Sequence, residues 1–73
     1  MIYTDGVHMV ADSLAELHAF ASSIGLKRIY FHGVRKGHPH YDLTNKWIRS
    51  KAMNAGAVPT NSRDILMKSK SML

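Results

Sequence analysis

Ile2-Tyr3-Thr4-Asp5-Gly6-Val7-His8-Met9-Val10 is the stretch on which the fold turns. Its β-branched and aromatic residues read as a short strand, Ile2–Thr4, which Val7–Val10 extends past a turn or bulge at Gly6. Read in that way, the segment feeds a helix. Ser13-Leu14-Ala15-Glu16 is a capping-box pattern, in which Ser13 and Glu16 satisfy each other's free backbone donors. Leu14, Leu17, Ala21 and Ile24 share one stripe of that helix, Phe20 flanks it, and Gly25 stops it. Arg28–His32 alternates Ile29 and Phe31 with Tyr30 and His32, the period of a second strand. Gly33–Asp42 reads as loop. A second helix starts after Thr44 and runs to Ala55, burying Ile48, Ala52 and Ala55, with Gly56 as its stop. Ala57-Val58 is a third short strand, and Asn61 or Ser62 caps a last helix through Ile65 and Leu66. The order β-α-β-α-β-α predicts an α/β fold with a small three-stranded parallel sheet covered by helices. Residues 1–67 form a single small domain, and residues 68–73, opening Lys68-Ser69-Lys70-Ser71, are expected to fray as a basic tail.

The 73 residues lie near the lower size limit for a self-sufficient core, where a chain buries about 60–65% of its unfolded surface. A pocket enclosing a large ligand would need a second copy, so a homodimer is one expectation. Cysteine is absent, which excludes disulfides and thiolate zinc sites and fits a cytoplasmic setting. No apolar run approaches the roughly 20 residues of a membrane span, so no membrane partner is expected. Met1-Ile2-Tyr3-Thr4-Asp5 has neither the basic start nor the apolar stretch of a signal peptide. Charge is unevenly placed. Residues 1–26 carry Asp5, Asp12 and Glu16 and no Lys or Arg, whereas residues 27–73 hold all ten Lys and Arg against Asp42 and Asp64. Such a basic half attracts nucleic acid, anionic nucleotides or an acidic protein, or it simply solvates exposed helices.

Candidate chemistry concentrates between Gly33 and Asp42. A parallel sheet binds ligands beyond the carboxyl ends of its strands, an edge that would gather Asp5 and His8, then His32–Asp42, then Thr60–Arg63. His38, His40 and Asp42 fall at alternate positions, so an extended backbone would present them on one face toward a metal, with His8 or Asp5 adding a ligand. Without a metal, Asp42 can orient His40 and leave its other nitrogen as a base. A carboxylate this close to a helix start is also a good cap. Glu16 and His18 lie about 200° apart on their helix and cannot act as a pair; His18 borders the apolar face, where a structural histidine is common. Gly33-x-x-Lys36-Gly37 lacks the Gly-Lys-Ser/Thr of a phosphate loop, which argues against nucleoside triphosphate hydrolysis. Arg35, Lys36 and Arg63 remain candidates for a simpler anion site. Lys46, Arg49 and Lys51, with Trp47 nearby, could follow a nucleic-acid backbone, although no helix-turn-helix, zinc-finger or RNA-stacking signature is present.

Several segments together resemble one family: Val-His-Met-Val-Ala-Asp-Ser over residues 7–13, Glu-Leu-His-Ala-Phe-Ala over 16–21, Ile-Gly-Leu over 24–26, His40-Tyr41-Asp42, and Gly-Ala-Val over 56–58, with Arg63 after them. This is a family of small bacterial and phage proteins catalogued as a domain of unknown function, number four thousand and thirty-one. The resemblance runs through nearly the whole chain. It brings no activity, cofactor or partner, but its motif positions here are His8, Asp12, Glu16, His18, His40, Tyr41, Asp42 and Arg63. The short, cysteine-free form is similar to phage-encoded members.

Two functional expectations follow. The leading one is a polar site at which His8, His40 and Asp42 do acid–base or ligand chemistry, while Arg63, His18 and Lys36 hold a phosphate-bearing small molecule or nucleotide, with or without a metal. The alternative is a non-enzymatic phage accessory module that binds a host protein or nucleic acid through its basic C-terminal half. A third use of His40-Tyr41-Asp42, as a buried polar network that fixes the fold, would cost stability rather than activity when broken.

Overall fold

The computed structural model describes Met1–Leu73 and departs from the expected topology at Asp5-Gly6. Asp5 Oδ1 accepts the backbone N–H groups of Val7 and His8 at 2.9 and 2.7 Å. Gly6 takes a positive φ of 95° between them. This side-chain-capped turn reverses the chain where a bulge would have carried it onward. Thr4 tightens the reversal, its hydroxyl accepting from the Gly6 N–H and donating to the His8 carbonyl. The first segment is therefore a hairpin of β1 (Ile2–Thr4) and β2 (His8–Ala11), paired antiparallel with Tyr3 opposite Val10.

A second correction lies at Arg28–His32. Arg28–Tyr30 closes into a single 3-10 turn, the Tyr30 N–H donating to the Lys27 carbonyl at 3.1 Å. Ile29 then points to solvent, and only Phe31–His32 remains as strand β3. The stretch read as loop contains another 3-10 turn, Val34–Lys36, and a strand, β4 (His40–Asp42). With β5 (Val58–Pro59) the sheet has five strands in the order β3-β4-β2-β1-β5. Every pairing is antiparallel except β1 with β5. The α/β class holds; the three-stranded parallel sheet is replaced by a mixed, mostly antiparallel one with three helices.

Helix α1 (Leu14–Ser23) buries Leu17 and Ala21, and the Ser13 hydroxyl accepts the Glu16 N–H at its start. Helix α2 (Lys46–Asn54) is capped by Asn45, whose Oδ1 accepts the Ile48 N–H at 2.9 Å, so Asp42 is free of that duty. Helix α3 (Ser62–Ser71) is capped by Asn61 in the same way. Strand alternation divides the layers. Met9 and Tyr41, paired across β2 and β4, face α1, where the Tyr41 hydroxyl and His18 Nδ1 hydrogen-bond at 2.8 Å. His8 and His40 face the opposite side, where they share a cleft with Ile65 and Ser69 of α3.

The expected frayed tail is also corrected. Residues 68–71 are helical, and Met72 joins the core. Ser69 is 2% exposed and its hydroxyl donates to the Pro39 carbonyl at 2.7 Å, tying α3 to the strand that carries His40. Ser69→Ala leaves that buried carbonyl without its partner and is expected to cost about 1–3 kcal/mol in urea unfolding. An unchanged midpoint would mean that the end of α3 is not docked.

Candidate functional site

Antiparallel pairing assembles the site. In β2 and β4, His8 stands opposite Asp42; in β3 and β4, His32 stands opposite His40. Paired residues project to one face, so three strands deliver three imidazoles and a carboxylate to a single patch. His40 is its hub. The His8 ring packs edge-on at 5.1 Å between centroids, and the His38 ring stacks at 5.6 Å. Metal-competent atoms of His8, His40 and Asp42 all lie within 4.8 Å of one another.

The tautomers of the two central histidines follow from their neighbours. Asp5 Oδ2 lies 3.1 Å from His8 Nδ1 and also accepts the Ser62 hydroxyl at 3.1 Å. Burial alone would raise the Asp5 pKa. Hydrogen bonds from the His8 backbone and ring, the Val7 N–H and Ser62 outweigh burial and hold the carboxyl down at about 2. Asp5 is therefore a carboxylate at neutral pH and accepts the proton on His8 Nδ1. The lone pair of neutral His8 is then on Nε2. His40 Nδ1 lies 2.8 Å from the His38 carbonyl, which can only accept, so His40 too carries its proton on Nδ1. Its Nε2 meets Asp42 Oδ1 at 3.3 Å. Two lone-pair atoms at that distance repel unless a proton or a metal ion sits between them. His32 Nε2 approaches the other oxygen, Asp42 Oδ2, at 3.3 Å.

Gly33 lets the loop close on this group. A Cβ there would meet the His38 carbonyl oxygen and come within 2.8 Å of His38 Nδ1 and 3.0 Å of His40 Nδ1, and φ is 88°. Two concavities share the His38–His40 pair. One, of about 240 Å³, lies between the sheet and α3 and includes Asp5, His8, Ser62 and Ser69. The other, of about 450 Å³, runs over the Val34–Lys36 turn and includes His32, Arg35 and Lys36.

The expected site residues thus separate. His8, His40 and Asp42 come together, but on a face of the sheet and not beyond its strand ends. Lys36 borders the second concavity. Arg63 is exposed on the first turn of α3 and lines neither, although its neighbour Ser62 does. His18 is on the far face, bonded to Tyr41; burial first, then the Arg28 charge, lowers its pKa. His38 supplies its backbone carbonyl and a stacked ring. Asp5 orients His8 and offers no ligand to the group, and His32, expected only as part of the edge beyond its strand, reaches the Asp42 carboxylate. The sequence signal for Asp5 was its place in Asp-Gly-x-His, the spacing at which a turn carboxylate reaches back to the imidazole three residues on.

The chain belongs to the family described as Protein of unknown function (DUF4031), whose model matches residues 4–71. No curated protein and no solved structure matches it significantly.

Two outcomes test this geometry. Gly33→Ala forces a left-handed alanine against the His38 carbonyl and is expected to cost at least about 1–2 kcal/mol; a neutral result would show that the loop does not close on the histidines. Because the folded pKa of Asp5 lies below the unfolded value of about 3.9, its stabilisation is complete above pH ~4 and is lost as pH falls toward ~2. Chemical denaturation of the wild type should therefore fall over that window more steeply than that of Asp5→Asn, and parallel curves would remove the Asp5 contribution.

Proposed function

We propose that the domain binds a first-row divalent metal ion, zinc being the simplest choice, through His8 Nε2, His40 Nε2 and the Asp42 carboxylate. The observation that carries this reading is the 3.3 Å approach of His40 Nε2 to Asp42 Oδ1 while both Nδ1 protons are committed elsewhere. Two imidazoles and a carboxylate form a three-ligand set that leaves coordination positions open. A tetrahedral ion with ligands at about 2.0–2.1 Å needs them about 3.4 Å apart, close to the His40–Asp42 separation. His8, with its side chain 40% exposed, would close the remainder by a small shift that keeps its hydrogen bond to Asp5. The supports behind the ligands are those that metal-binding histidines usually carry, a carboxylate behind His8 and a backbone carbonyl behind His40.

In this reading the open positions face solvent and a phosphate-bearing small molecule. The ion would lower the pKa of a bound water toward ~7 and so supply a hydroxide for hydrolysis. Arg35 and Lys36, along the adjoining concavity, would neutralise the phosphate. Zinc titration by calorimetry is expected to give one site per chain. Asp42→Asn and His40→Ala should weaken it strongly and Asp5→Asn by about 10–100-fold, and binding should weaken as the pH is lowered because protons compete for the ligand lone pairs. Equal zinc affinity in His40→Ala would sink the proposal.

A further inference from the structure

On the far side of the sheet, two hollows of about 340 and 250 Å³ share Gly25, Leu26 and Lys27 and so form one groove. It runs from His18 and Arg28, past Lys27 and Tyr30, to Trp47 and Lys51. Three of its lining residues are cationic, and none of the chain's Asp or Glu residues lines it. Trp47 is 72% exposed, the most exposed large hydrophobic residue in the chain. It does not anchor α2, since Ile48 and Ala52 do that. Lys51 Nζ lies over one face of the Trp47 ring, 5.7 Å from its centre, and leaves the other face to a stacking partner.

We propose that this groove binds single-stranded nucleic acid without sequence preference. An exposed indole offers a face on which an unpaired base can stack, and Lys51, Lys27 and Arg28 follow at intervals as phosphate partners. A duplex keeps its bases stacked on one another and gains only the cations. The groove uses only part of the basic half. Lys46 and Arg49 lie about 140° and 160° around α2 from Lys51, so the three do not form one surface. This inference is independent of the metal site, which lies across the sheet.

The test is binding of a labelled oligothymidine of about eight nucleotides, read by anisotropy, together with quenching of Trp47, the single tryptophan. Binding should quench the indole and weaken with salt at a logarithmic slope near −2, as expected for about three phosphate contacts on a single strand. Trp47→Ala should weaken binding about tenfold or more. Lys27→Gln and Lys51→Gln, which leave the ring in place, should each reduce the slope by about 0.7. Absence of quenching at low salt would overturn the proposal. So would equal binding of a matched duplex, or full competition by a polyglutamate peptide, which would assign the groove to an acidic protein.

Discussion

The antiparallel pairing of β2 with β4, which sets His8 opposite Asp42, is the constraint on which the rest depends. β2 enters that pairing directly from the reversal at Asp5-Gly6, and the same carboxylate that makes the turn with Oδ1 holds the His8 ring with Oδ2. One side chain thus sets both the topology and the tautomer. Shifting the β4 register by one residue would send His40 and Asp42 to the α1 face and bring Tyr41 to α3, because side chains alternate strictly along a strand. Burial of Tyr41 and Met9 against α1 therefore keeps the polar residues where they are.

The two faces divide the chemistry. On the α3 side the polar group carries lone pairs and carboxylates and attracts a cation. On the α1 side the groove carries lysines, an arginine and an open indole, and attracts an anion. Tyr41 separates them, its hydroxyl engaged by His18 and its acidity suppressed chiefly by burial. The neutral His18–Tyr41 pair lines the groove at one end and adds no charge to it.

Much of the helical layer was legible because its signals are local. Ser13, Asn61, Gly25 and Gly56 mark helix ends by chemistry confined to one turn, and the Leu17–Ala21 stripe needs only the helical period. The sheet was less legible. Asp-Gly is itself a hairpin signal, yet it looks like a bulge until the following strand is known to pair back. Arg28–Tyr30 has strand-like alternation and is turned aside by one local hydrogen bond. The candidate site divides along the same line. His40 and Asp42 share a strand, and their common face could be read from spacing. That His8 joins them and His18 does not is decided by pairing between segments some thirty residues apart. Asp42 looked suited to capping α2 until Asn45 proved to hold that position. The polar tail composition concealed Ser69, which is buried because its hydroxyl has a backbone carbonyl to meet.

Asp5 and the His38 carbonyl fix both central imidazoles with their lone pairs on Nε2, and that of His40 is turned toward Asp42. Long-range nitrogen–proton correlation NMR of metal-free protein at about pH 8, above the usual imidazole pKa, reads each ring directly. His8 and His40 are both expected to carry the proton on Nδ1, with Nε2 unprotonated. A proton on Nε2 of either ring, or the mixed pattern of a free imidazole, would contradict that assignment.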